Sequence, residues 1–389
     1  MVVHSHYPVG EPRGAREARA AVEAGYDVHM ICLGAKREPM AETVDEIGIF
    51  RVPIVHTRGV QGLGLLSEYV GFALLASLEV LKLHRRFPID VVYVHAPPDF
   101  LIAAALVPRL LGCGVVLDIH DLSTDMFEAR FGKRRFARFA ERLLRAVELF
   151  ACRVADQIVT VHRQYREELV RHGVDDAKIS IVMNTPDEQA LEAARAAARE
   201  PQPPDTFTVA YHGTVNRWYG VDLVVEAMAQ LDGRIPGLHG IVLGEGDALA
   251  AAERLARERG LNGRIEFSRR YLPQEEALRR VASASCGVIP NRASRLNRFA
   301  LSSKLLEYVT LGVPVVVSRL ETLEAHFAPN EVTFFEPGDP RALADAISWV
   351  AQNPGEAREK AARAHRRAEE YSWPVNRTRL LTALARATP

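Results

Sequence analysis

The sequence predicts an α/β protein of two halves, each a parallel sheet covered by helices on both faces. Three observations carry that prediction. A chain of 389 residues is longer than one ordinary domain. Short β-branched runs alternate regularly with longer helical patterns, the mark of βαβ units. Near the middle, "AREPQPPDTF" interrupts the alternation with Pro201, Pro203 and Pro204, which break helices and stiffen a connection.

The elements follow in order. Helical "GAREARAAVEAG" precedes strand-like "YDVHMICLG". "IDVVYVHAPP" leads through an alanine- and leucine-rich helix to "GVVLDIHD", and "VADQIVTV" leads through "HRQYREELVRHG" to "ISIVMN". Beyond the prolines come "FTVAYHG", "GVDLVVEAMAQL", "LHGIVLGEG", "ALAAAERLARERG", "RIEFSRR", "ASCGVIPN", "VPVVVS" and "EVTFFEP". The expected domains are residues 1–190, completed by a last helix at about 372–389, and residues 205–371. A cleft between two such halves is the default ligand site.

Composition narrows the function. Lys+Arg and Asp+Glu are equal at 49 each, so no net charge draws the chain to nucleic acid or anionic lipid. The four cysteines, with no C-x-x-C pair, read as core residues in a reducing compartment. "MVVHSHYPVG" lacks the charged and apolar regions of a signal peptide. The longest apolar stretches are interrupted by Ser67 and Glu68, and by Pro108 and Arg109. Both fall short of the roughly 20 uninterrupted residues of a membrane span. The expectation is a soluble, cytoplasmic protein. Residues 131–155 form a basic amphipathic stretch, with Phe136, Leu143 and Phe150 among Lys133, Arg134, Arg135, Arg142 and Arg145. It is either a peripheral contact with the inner face of the membrane or a domain helix with a solvated basic face. No H-E-x-x-H helix and no Asp-x-Asp pair occurs, and no metal site is expected.

The chemistry concentrates in "SSKLLEYVTLGVPVVVSRL", residues 302–320. Gly312 and Pro314 end its helix, which begins at the C-terminal end of the sheet, where open α/β folds bind ligands. Ser302 or Ser303 caps it, and its first N–H groups attract anions. Lys304 adds a cation for a diphosphate. Glu307, on the same face, offers a carboxylate to ribose hydroxyls. A capped amphipathic helix carrying a surface ion pair is the alternative.

Other residues gather around the same chemistry. Gly213 turns the strand "AYHG" toward a helix and lets backbone approach phosphate, with Arg217 following as a bidentate donor. Gly244 and Gly246 match half of a dinucleotide fingerprint and shape a loop near the bound sugar or phosphate. Arg270 and Tyr271 follow a strand and are placed to meet a base. His120 and Asp121 end "VVLDIHD", where a histidine serves proton chemistry, binds a hydroxyl, or simply bonds a loop carbonyl. Gly10, Arg13 and Gly14 form another backbone-approach loop.

In this order the motifs resemble the retaining, metal-independent GT-B glycosyltransferases of glycosyltransferase family 4, of the kind that builds bacterial surface polysaccharides. The resemblance runs from "HYPVGEPRGAREARAAVEAGYDVHMICL" through "DIHDL" and "GTVNRWYGVDLVVEAM" to "YSWPVNRTRLLTAL", and is most specific at "SSKLLEYVTLGVPVVVS". It implies two Rossmann-like domains facing across a cleft and a nucleotide-sugar co-substrate, a UDP-sugar by preference, with no other cofactor. The acceptor would be a hydroxyl on a glycan or a lipid-linked molecule. Residue by residue, Glu307 would bind ribose. Lys304, Arg217, Ser303 and the Gly213 turn would hold the diphosphate, with Leu305 in the same segment. His120 would lie beside the transferred sugar, and Gly10 and Arg13 in a loop closing over the donor. Two positions depart from the pattern: Phe299 stands where many relatives have a glutamate, and Tyr219 where a lysine is common. A nucleotide-sugar epimerase of the same fold and a degenerate, non-catalytic partner subunit are the alternatives.

Overall fold

The computed structural model describes residues 1–8, 11–34, 38–54, 63–124, 137–197 and 206–389. The chain divides into two compact units, Met1–Asn184 with Pro374–Pro389, and Thr185–Trp373. The division falls ahead of the proline-rich segment expected to mark it, whose Pro201, Pro203 and Pro204 lie outside the described residues. The cause is helix Glu188–Ala197: its Leu191 and Ala194 are buried with Leu278 of the second unit, which ties the helix there.

The first unit is an eight-stranded sheet. Its strands are β1 (Val2–His6), β2 (His29–Leu33), β3 (Ala41–Val44), β4 (Ile47–Val52), β5 (Val91–Ala96), β6 (Gly114–Ile119), β7 (Gln157–Thr160) and β8 (Ile179–Ile181). The order is β3-β4-β2-β1-β5-β6-β7-β8, parallel except for the edge strand β3. Every residue of β6 is buried, as expected of a central strand covered on both faces. The closing helix, Trp373–Ala387, returns to this unit by burying Leu380, Ala383, Leu384 and Ala387. Asn376 secures it by accepting the Met183 N–H at 2.7 Å.

Helix Leu63–Arg86 runs unbroken through Ser67 and Glu68, the polar residues that interrupt its apolar run. Ser67 returns its hydroxyl to the Gly64 carbonyl at 2.8 Å, and Glu68 pairs with His4 at 3.3 Å. Gly64–Arg86 is thereby long and apolar enough to cross a membrane by length and composition. One side is nevertheless spent on the protein: Phe72, Ala73, Ala76, Val80 and Leu83 are buried, and the helix packs on β1, β2 and β4.

The second unit holds β9 (Phe207–His212), β10 (Leu238–Leu243), β11 (Ile265–Phe267), β12 (Cys286–Ile289), β13 (Val315–Ser318) and β14 (Thr333–Phe335). They are ordered β11-β10-β9-β12-β13-β14, all parallel. Strand succession reverses direction between β9 and β12. In doubly wound sheets that reversal opens a crevice at the C-terminal strand ends, where ligands bind.

Candidate functional site

The polar cluster of the second unit grows from that reversal. β9 ends at His212, and Gly213 follows with φ +100°, a conformation that favours glycine. Space makes the same demand, because a Cβ on Gly213 would lie 2.4 Å from Lys304 Cε. The turn is held from behind by the "VLGEG" loop. Gly213 N–H donates to Leu243 O at 2.8 Å and Val215 N–H to Glu245 O at 2.9 Å. Added Cβ atoms on Gly244 and Gly246 would meet Gly213 O and Val215 O at 1.9 and 2.0 Å. Those glycines therefore serve backbone packing beneath the Gly213 turn.

Helix Ser303–Thr310 follows β12 and enters the same place. Ser302 takes the N-cap position but makes no side-chain capping bond, and Ser303 is exposed. The first turn thus keeps its positive end uncovered by either serine. Leu305, Leu306, Tyr308 and Val309 are buried and anchor the helix. Leu305 was expected to meet a ligand. Its side chain lies in the core and its N–H bonds Ser302 O at 3.0 Å, so it fixes the first turn instead.

Lys304 rests its ammonium 4.6 Å from the Tyr219 ring centre and 5.8 Å from that of Tyr211. Tyr219, the departure from the family pattern, thus supplies a π face that holds the lysine in place. Burial pushes the Lys304 pKa down, and Glu307 acts against that shift.

Glu307 is buried and bonded to His212 Nε2. His212 Nδ1 meets Tyr308 OH at 3.1 Å, and Tyr308 donates its proton to Ala210 O at 2.8 Å. The phenol has one proton, so Nδ1–H must be the donor to it. The bond between Nε2 and Glu307 then holds a further proton between ring and carboxyl. Burial raises the Glu307 pKa, but the His212 hydrogen bond and charge, with Lys304, bring it below its ordinary value. The result is an ionised, oriented acceptor.

Three further residues flank this cluster. Arg217 lies exposed in the turn Arg217–Tyr219, with no ion-pair partner among the described residues. The next residue, Trp218, has its carbonyl held at 2.9 Å by both Arg292 N–H and Asn297 Nδ2. Arg270 is exposed after β11, and its neighbour Tyr271 bonds Thr214 Oγ1 at 3.0 Å, drawing that loop to the Gly213 turn. Phe299 is buried, with the Arg298 guanidinium 4.9 Å over its ring. An apolar buried side chain offers a sugar no hydrogen bond.

The first unit carries a different cluster. Arg13 was expected in a loop closing over a ligand. It is buried, and its donors are committed: Nε and Nη2 to Asp118 at 3.0 and 2.9 Å, and Nη1 to Val182 O at 2.8 Å and Asn184 Oδ1 at 3.0 Å, while Nη2 lies 3.0 Å from Glu17. It is an internal anchor. Gly10 lies outside the described residues. His120, partly exposed, bonds Asp118 Oδ2 through Nε2 at 2.9 Å, and His95 Nδ1 stands 3.2 Å from the same nitrogen. Tyr93 OH touches both Glu17 and Asp118 at 3.1 Å. Burial opposes charge on both carboxyls. For Asp118, Arg13 and His120 overcome it and hold the pKa well below normal, whereas Glu17 stays well above and keeps its proton. His95, Asp118 and His120 bring candidate metal-ligand atoms within 4.8 Å of one another. Arg13 already places a fixed positive charge on that carboxylate, which opposes a cation.

Sequence reasoning missed His212, Tyr308, Asp118, His95, Glu17 and Tyr93. A signal existed for Asp118, which is two residues before His120 on a strand and so on the same face. None existed for His212, whose partner lies 95 positions away.

Two Rossmann-type sheets, one with a cation and an oriented carboxylate at its strand reversal, define the class of doubly wound, nucleotide-binding α/β proteins. Comparison with known proteins narrows this. Residues 11–185 match the glycosyl transferase 4-like domain and residues 192–370 the glycosyl transferases group 1 family. The chain belongs to the GT-B glycosyltransferases of the family 4 type. It is similar to the 2-deoxystreptamine glucosyltransferase of Streptomyces kanamyceticus, 25% identical over 87% of this chain and 88% of that protein. Sucrose-phosphate synthase of Thermosynechococcus elongatus shares the fold, with a TM-score of 0.72 at 19% identity over 95% and 91% of the two chains. So does Anabaena HepE in complex with UDP, with a TM-score of 0.71 at 15% identity over 99% and 98%.

Proposed function

We propose that this glycosyltransferase moves a sugar from a UDP-sugar to an acceptor hydroxyl with retention at the anomeric carbon, without a metal, in the synthesis of surface polysaccharide or another glycoconjugate. The carrying observation is the pairing of Lys304 at an uncovered helix end with Glu307 held ionised by His212. Charge develops on the departing diphosphate as the anomeric C–O bond breaks. Lys304, Arg217 and the first turn at Ser303 meet that charge in fixed positions. Glu307 accepts from the ribose diol, and Arg270 borders the base. His120, oriented through Nε2 by Asp118, contacts the transferred sugar. The choice of uridine finds support in the UDP carried by HepE, a fold relative.

The acceptor in this reading is a glycan or lipid-linked molecule reached at the inner membrane face, with the 131–155 stretch making peripheral contact. A second reading, a small aminocyclitol acceptor, is favoured by the relative named for 2-deoxystreptamine. The test is a thermal-shift and calorimetric screen of UDP, GDP and dTDP and their sugars, followed by transfer assays on both acceptor classes. UDP should raise the melting temperature most, and NMR of the product should show the donor's anomeric configuration. Inversion, or preference for another base, would overturn the corresponding part.

A further inference from the structure

The first unit exposes far more apolar surface than its fold needs, and the surface is concentrated. Helix Leu63–Arg86 presents Leu66, Val70, Leu74, Leu75 and Leu78 on its outer side, Leu74 at 63% exposure and Leu78 at 54%. Spacings of four residues make this a continuous stripe along more than three turns. Helix Ala103–Leu110 packs beside it and, with the next residue, adds Val107, Leu110 and Leu111, Leu110 at 86% exposure. Helix Ala137–Val154 shares with it the neighbouring turn Asp99–Ile102. That third helix buries Glu148, Ala151 and Cys152 and leaves Leu143 and Phe150 outside at 56% and 49%. A helix that buries a glutamate while exposing leucine and phenylalanine is not patterned for water.

The exposed charges that accompany this surface have one sign. The outer stripe of helix Leu63–Arg86 passes from leucines to Lys82, Arg85 and Arg86 in its last turns. Helix Ala137–Val154 exposes Arg142, Arg145 and Arg153. Among the described positions of the three helices, no carboxylate is exposed. The half-buried Glu79 is bonded to Lys82 at 2.9 Å, Glu68 is paired with His4, and Glu141 is half-buried beside Arg142.

We propose that this three-helix face docks the protein on an anionic lipid bilayer, with helix Leu63–Arg86 lying in the interface plane. Charge complementarity selects that occupant: leucines enter the acyl boundary and the flanking arginines and lysine meet phosphate headgroups. The buried side of the same helix, Phe72, Ala76, Val80 and Leu83, is committed to the sheet, so the helix lies on the membrane and does not cross it. The inference deepens the membrane contact proposed above, moving its centre from the 131–155 stretch, of which Lys133, Arg134, Arg135 and Phe136 lie outside the described residues. It does not depend on the donor chemistry.

Flotation of the full chain with vesicles tests it, comparing phosphatidylcholine alone with phosphatidylcholine containing phosphatidylglycerol. The anionic vesicles should carry the protein and the neutral ones little of it, and added salt should weaken binding. Leu74→Ser with Leu78→Ser, and separately Arg142→Glu with Arg145→Glu, should each reduce binding by about tenfold or more at unchanged melting temperature. Absence of flotation, equal binding to neutral vesicles, or unaltered binding of the folded variants would overturn the proposal. So would sedimentation showing a dimer that the leucine substitutions dissolve, since the face would then belong to a second copy. No nucleotide enters the assay, so its failure leaves the donor reading untouched.

Discussion

Both units reverse strand succession beside their first strand and place buried charge at the same end of the sheet, yet to opposite effect. In the first, Arg13 spends its donors on Asp118, Val182 and Asn184 beside Glu17, and the cluster closes on itself. In the second, Lys304 is held by aromatic faces and Glu307 by His212 and Gln274, which leaves the cation's hydrogens for a visitor. A cation enclosed by acceptors stabilises a scaffold; a cation on a π face remains available to an anion.

That contrast is easiest to break at Arg13. Arg13→Met leaves a buried carboxylate uncompensated and should cost about 3–5 kcal/mol, seen as a melting temperature lower by on the order of 10 °C. An unchanged melting temperature would show that the closed cluster is not structural. Lys304→Ala should do the reverse, leaving melting intact while lowering turnover by about 10²–10³. Near-normal kinetics would remove the lysine from the chemistry.

Gly213→Ala probes how the second cluster is built. The new Cβ must displace Lys304 and adopt φ +100°. A stability loss of about 1–3 kcal/mol and weaker nucleotide affinity should appear together. Loss of one without the other would separate the turn from the lysine.

An effect read through pH concerns Asp99, also buried in the first unit and pushed up to about 7, chiefly by burial. A folded pKa raised above the unfolded one means that stability is greatest below the unfolded value and declines as pH rises toward the folded one. Wild type should therefore lose on the order of 10 °C of melting temperature between about pH 4 and pH 7 that Asp99→Asn does not. Parallel curves would place the proton elsewhere.

Much of the second unit was legible because its signals are local. Glycine at a strand end, Ser-Lys at a helix start and Gly312 at its stop all act within a few residues. The His212–Glu307 bond was not, since it requires knowing that β9 borders β12. Arg13 misled for the same reason: an arginine in a turn reads as free until the strand carrying Asp118 is placed beside it. In helix Leu63–Arg86 the serine and the glutamate are accommodated by partners that the sequence does not display, Gly64 O and His4. The division of the chain was misplaced because prolines advertise a joint more loudly than the burial of Leu191 and Ala194.

Calorimetric titration of UDP onto wild type and Lys304→Ala tests the central claim most directly. The account predicts binding by the wild type and an affinity at least about tenfold lower in the variant, as loss of a charge-assisted contact requires, with both proteins melting alike. Equal affinities in the two would contradict it.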